Sequence, residues 1–137
     1  MKIVVFDSGL GSLSIIKAIQ NKTKSEIIYL ADKKNYPYGN KTKTQLYKII
    51  TNTIDKISKK FEPDLIVLAS NTPSLLFREK LTKNVITVLP PFEKIPNNSN
   101  VAVLATKIVT ESKELDDYIE QFDDLKDILK INCSELV

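Results

Sequence analysis

Short, almost wholly apolar runs alternate with stretches of helical periodicity along the chain, and this alternation constrains the fold more than any other feature. The runs fall at residues 2–6, 26–31, 64–69, 85–88, 101–105 and 128–132. Runs this short, without polar alternation, are expected of strands buried on both faces of a parallel sheet. Residues 12–20, 42–60, 72–81 and 111–122 carry helical patterns between them. In the second of these, Leu46, Ile49, Ile50, Ile54 and Ile57 form one stripe, with lysines over much of the remaining surface. The alternation predicts an α/β fold with a parallel sheet and right-handed crossovers. Such sheets bind ligands at the carboxyl ends of their strands, so the residues there are the candidates for chemistry.

Composition excludes several alternatives. At 137 residues, 42% of them hydrophobic, the chain suits one sizeable core and is short for two full domains. Proline and asparagine cluster in "PPFEKIPNNSN", residues 90–100, which suggests a boundary between a unit at 1–97 and a second at 98–137. No apolar run reaches membrane-spanning length, and the opening run ends at Asp7, unlike a signal peptide. A cytoplasmic protein with no membrane partner is expected. Net charge is +3 and Arg78 is the sole arginine, so the lysines read as a solvated exterior and no nucleic-acid partner is expected. With no histidine, neither a Ser-His-Asp triad nor a histidine zinc site can be built; a single cysteine, Cys133, allows neither an internal disulfide nor CxxC chemistry.

Three strand ends carry polar residues. The first reads "FDSGLGS", with Asp7 and Ser8 ahead of Gly9 and Gly11. A dinucleotide site fits poorly, because the acid precedes the glycines and would repel a pyrophosphate. Asp7 as a phosphotransfer nucleophile lacks a second aspartate two residues on. The plain alternative is a tight turn in which Asp7 caps the next helix. The second end leads into Tyr36-Pro37-Tyr38-Gly39, either the wall of a small polar pocket or a packed surface turn. The third reads "VLASNTPS": Ser70, Asn71 and Thr72 could present donors to a carboxylate, or Asn71 or Thr72 could simply cap a helix with Pro73 in its first turn. A faint echo links "IVLASNT" to "AVLATKI", though any two buried strands look alike.

In this order, "VFDSGLGSLSII", "IIYLAD" leading into "YPYG", and "LIVLASNT" resemble the glutamate racemase family, with looser matches at "VAVLAT" and "NCSELV". The resemblance runs through the whole chain but covers about half of a typical family member. It implies a three-layer α/β/α fold of the aspartate/glutamate racemase type with an incomplete second domain. It also implies racemisation of glutamate for peptidoglycan synthesis, with neither metal nor pyridoxal cofactor, through two cysteines facing opposite sides of the α-carbon. Asp7 and Ser8 would line the amino-acid end of the site, with Asp7 assisting the first cysteine. Tyr38 and Gly39 would close over the substrate, Asn71 and Thr72 would bind its carboxylates, and Thr106 would belong to a threonine-rich loop. The partner implied is a small acidic amino acid such as glutamate or aspartate.

The departures fall on the chemistry. The family's first catalytic cysteine corresponds to Ser70, and the Gly-Cys-Thr-His segment bearing the second has no counterpart. Cys133 matches a non-catalytic position and reads as a buried small apolar residue. The next threonine expected after Thr106 falls on Val109, with Thr110 beside it, and a double glycine has become Gly11-Ser12. The expected product is a catalytically impaired racemase-like protein, a dicarboxylate- or amino-acid-binding pseudoenzyme, or a decayed fragment. Its last 40 or so residues would leave strand edges exposed, so a homodimer is a possible consequence.

Overall fold

Four parallel strands, β1 (Lys2–Asp7), β2 (Glu26–Ala31), β3 (Leu65–Leu68) and β4 (Val85–Thr87), form one sheet in the order β2-β1-β3-β4. The structure is a computed structural model and describes residues 1–136; Val137, the last residue of the expected 98–137 unit, lies outside them. Three helices cover this sheet: α1 (Ser12–Gln20), α2 (Lys43–Phe61) and α3 (Asn71–Phe77). Because side chains alternate along a strand, Ile3, Val5, Val67 and Ala69 face Ile15, Ile16 and Ile19 of α1. Val4, Phe6, Ile66 and Leu68 face the opposite layer, against Leu46, Ile50, Ile54 and Ile57 of α2 and Leu75 and Leu76 of α3. The expected three layers are therefore present around this sheet. The chain leaves β1 toward β2 and returns across it to β3, so the carboxyl ends of β1 and β3 flank a topological switch point.

Local chemistry explains the longest helix. Thr42 Oγ1 accepts a hydrogen bond from the Gln45 amide, and Gln45 Oε1 accepts one from the Thr42 amide, a reciprocal capping box. A cap of this kind stabilises a helix by about 1 kcal/mol. Glu62 ends the helix in left-handed backbone at φ 45°.

A second, two-stranded parallel sheet pairs β5 (Asn100–Ala105) with β6 (Asp127–Asn132), joined through α4 (Lys107–Thr110) and α5 (Lys113–Ile119). Val101, Val103 and Ile128 join the core built on α2 and α3, together with Val109, Leu115 and Tyr118. Phe92, Tyr118 and Phe122 pack as an aromatic cluster with centroids 5.3–5.4 Å apart. The lone Arg78 lies over the Tyr118 ring, 4.9 Å from its centroid. The other face of this sheet, with Ala102, Leu104, Leu129 and Ile131, is exposed; Leu104 and Leu129 each keep 62% of their surface in solvent.

Several expectations need correction. Burial on both faces holds for β1 and β3, not for β5 and β6, which lack a covering layer among the described residues. The helix expected at 72–81 is α3 followed by a 3₁₀ turn at Arg78–Lys80, and the one at 111–122 is α5 preceded by the separate α4. Gly11, not Asp7, occupies the cap position of α1. Ser70, not Asn71 or Thr72, occupies that of α3, without a side-chain capping bond, while Pro73 does fall in the first turn. Neither Gly9 nor Gly11 adopts positive φ, so their turn does not demand glycine on that ground. Among the described residues, no helix is long and apolar enough to cross a membrane.

Candidate functional site

A cleft of about 870 Å³ opens at the carboxyl ends of β1 and β3 and runs beneath β5. All eight candidates from the sequence line it: Asp7, Ser8, Tyr38, Gly39, Ser70, Asn71, Thr72 and Thr106. The switch-point topology explains the convergence, since β1 ends in Asp7 and β3 leads into Ser70. Tyr36, which the sequence offered with Tyr38 as a pocket wall, lines it too, as do Pro90, Pro91 and Phe92 from the proline-rich segment, which sequence reasoning did not assign to the site.

Asp7 and Ser8 are almost fully buried, each 7% exposed, and the Ser8 amide donates to Asp7 Oδ1 at 2.6 Å. Ser70 sits on extended backbone at φ −115°, ψ 124°, and its hydroxyl makes no capping bond to α3. It is thus available to a bound molecule. The Thr72 and Thr106 hydroxyls meet at 3.2 Å, which ties the start of α3 to the end of β5. Behind this wall the fully buried Ser74 hydroxyl donates to the Leu68 carbonyl at 2.9 Å and accepts from the Val88 amide at 3.2 Å. That pair of bonds holds the end of β3 to the segment after β4.

Gly39 is required by close approach. A Cβ placed there would lie 2.4 Å from Thr106 Cγ2 and 2.9 Å from Thr106 Cβ, closer than packed atoms come. The turn that carries Tyr38 is thereby pressed against the β5–α4 junction.

Tyr38 is buried, at 2% exposure, and its hydroxyl donates to Asp32 Oδ2 at 3.0 Å. Burial first, then the neighbouring Asp32 and Asp7 charges, push the phenol far above its ordinary range, so it stays protonated. Asp32 was not among the sequence candidates. It lies in a lysine-flanked stretch that reads as solvated loop, yet it directly follows β2, and the strand-end rule that singled out Asp7 also points to it.

Cys133 is half-buried rather than buried, and it lines an adjoining cavity of about 340 Å³ that shares Asn71, Thr72 and Thr106 with the cleft, alongside Leu75, Val109 and Leu115. Among the described residues no thiol, lysine or arginine lines the main cleft, and no three histidine, cysteine or acidic side chains group as metal ligands. The cleft therefore offers a carboxylate at one end, and neutral hydroxyl and amide donors along its floor.

This three-layer parallel α/β unit has, in part, the aspartate/glutamate racemase fold. Its sequence and structure relatives are glutamate racemases, to which it is homologous over about half their length. The glutamate racemase of Aliivibrio fischeri is 33% identical over 141 residues, 98% of this chain and 54% of that protein. The crystal structure of Escherichia coli glutamate racemase with L-glutamate and the activator UDP-MurNAc-ala superposes with a TM-score of 0.79 at 26% identity, over 98% of this chain and 54% of that one. The Francisella tularensis glutamate racemase with D-glutamate superposes with the same TM-score, 0.79, at 26% identity, over 96% of this chain and 52% of that one. No protein-family model matches the chain. The chain spans about half the length of the curated relatives it matches.

Proposed function

We propose that this chain binds a small acidic amino acid, glutamate or aspartate, in the cleft between Asp7 and Thr106, and does not racemise it. One observation carries the reading: Ser70 stands in a cleft with Asp7, Asn71, Thr72 and Thr106, and no sulfur lines that cleft. Racemisation at an α-carbon needs a base on one face and an acid on the other. A cysteine thiol titrates near pH 8.5 and is readily tuned toward neutrality. A serine hydroxyl is far less acidic, and the chain has no histidine to activate it.

In this reading Asp7 and Ser8 receive the amino-acid end and Asn71 and Thr72 receive carboxylate oxygens, while Tyr38, Gly39 and Thr106 form the wall. No metal or organic cofactor takes part. The chain acts in the cytoplasm and does not itself supply D-glutamate for peptidoglycan. In this reading the chain divides into units at 1–97 and 98–137, a division that the presence of two sheets supports, and the bare face of β5–β6 favours a homodimer, because parallel sheets are rarely left open. Replacing Leu104 and Leu129 together by lysine is expected to leave a monomer in light scattering if that face is the contact.

Calorimetry with L- and D-glutamate, combined with proton NMR of the α-hydrogen in deuterated water, tests the function. Heat of binding without loss of the α-proton signal is expected. Exchange or interconversion by protein purified free of host racemase overturns the claim of inactivity, and absence of binding overturns the whole reading.

A further inference from the structure

We propose that Asp32 is a positioning residue of the cleft: by accepting the hydrogen bond of the Tyr38 hydroxyl it turns the phenolic oxygen into a fixed acceptor, and so favours a ligand that carries an ammonium group. This rests on the amino-acid-binding reading above and specifies one contact within it.

The Asp32 carboxylate is nearly saturated. Asn35 Nδ2 lies 2.9 Å from Oδ1 and 2.8 Å from Oδ2, and the Tyr38 hydroxyl lies 3.0 Å from Oδ2. The Asp32 amide donates to the Asp7 carbonyl at 2.7 Å, which places the acid beside the end of β1. The Asn35 amide donates to the Asp32 carbonyl at 3.2 Å, closing the turn around it. A carboxylate accepts and cannot donate, so the hydroxyl proton of Tyr38 has one destination. With that proton committed, the oxygen can only accept from whatever enters the cleft. Tyr38 and Asp7 both line the cleft, and Asp7 is close enough to reinforce Asp32 in keeping the phenol protonated. In this proposal the acceptors offered to a ligand at that end of the cleft are the Asp7 carboxylate and the oriented phenolic oxygen. An ammonium, with three donors, satisfies both; a third carboxylate or a bare methylene does not.

Asp32→Asn tests this with little change of bulk. An asparagine amide can donate to the phenolic oxygen, which frees the hydroxyl proton to point into the cleft. Tyr38→Phe keeps the ring and deletes the oxygen, and serves if Asp32→Asn does not fold. The probes are L-glutamate and glutarate, the same dicarboxylate without the α-amino group. Each variant is expected to weaken glutamate about tenfold, the worth of one hydrogen bond to a charged group, and to leave glutarate within about twofold. The double variant should be no worse than either single one, because both remove the same contact. A merely structural role for Asp32 would weaken both probes alike. An unchanged ratio of glutamate to glutarate affinity in folded Tyr38→Phe overturns the proposal while leaving the binding reading intact. Failure of the unsubstituted chain to bind glutamate removes both.

Discussion

The two sheets of this molecule are built from strands of the same local kind and end in different environments. β1 and β3 are covered on both faces, by α1 on one side and by α2 and α3 on the other. β5 reads "NVAVLA" and looks as apolar as β3, "LIVL", yet only its inner face is covered. An apolar run states that a strand is stabilised by burial; whether it is buried depends on how many layers the rest of the chain supplies. The first sheet has two layers of helix, and the second has one among the described residues. The polar strand ends repeat more faithfully. Ser70 and Thr106 both occupy extended cap positions at a strand-to-helix junction, and the two junctions meet through the Thr72–Thr106 hydroxyl pair.

Truncation measures the contrast most directly. Leu68→Ala, in the fully buried β3, should cost about 2–5 kcal/mol, the range for deleting a packed leucine with partial collapse of the cavity. Leu129→Ala, on the open face of β6, should stay within about 0.5 kcal/mol at dilutions where light scattering shows a monomer. Urea denaturation read by circular dichroism gives both values. Equal losses in the monomer would mean that the outer face of β5–β6 is covered within a single chain, and the contrast between the sheets would fail.

Gly39→Ala probes the seam between them. The new Cβ would overlap the stiff, β-branched side chain of Thr106, and overpacking of this kind costs about 1–3 kcal/mol. Adding Thr106→Gly removes the overlapping atoms and should recover part of the loss. If Gly39→Ala alone has no effect on the urea midpoint, the turn at 36–39 is not pressed against the β5–α4 junction as described.

Most of this frame could be read from the chain. The buried strands and the amphipathic α2 were legible because each has one dominant pattern: an unbroken apolar run, or a stripe at Leu46, Ile50, Ile54 and Ile57. The site candidates Asp7, Ser8 and Ser70–Thr72 were legible because strand ends in parallel sheets converge. What stayed hidden depends on contacts distant in sequence or on short elements. The four-residue α4 is too short to show a period. Asp32 looks like a solvated acid beside two lysines until the Tyr38 hydroxyl, six residues on, is placed against it. The exposure of Leu104, Leu129 and Ile131 is a property of missing neighbours, which no local pattern encodes.

The smallest expected effect concerns charge across the same seam. Lys43, at the start of α2, pairs with Glu114 in α5, so this ion pair joins the first layer to the second unit. Burial alone would raise the Glu114 carboxyl, but the Lys43 hydrogen bond, an amide hydrogen bond, and the Lys43 and Lys80 charges together hold it below its ordinary value of 4.5. A depressed acid contributes stability that is fully present above its ordinary value and lost as pH falls through the lowered one. Lys43 keeps 46% of its side-chain surface in solvent, so screening limits the contribution to less than about 1 kcal/mol. The melting temperature of Lys43→Gln should therefore fall slightly below that of the unsubstituted chain at pH 6, and the gap should close as pH falls below 4.5 and through the lowered Glu114 value. High salt at pH 6 should narrow the gap as well. A gap that persists undiminished in acid would assign the loss to packing of the lysine stem on α5 rather than to its charge.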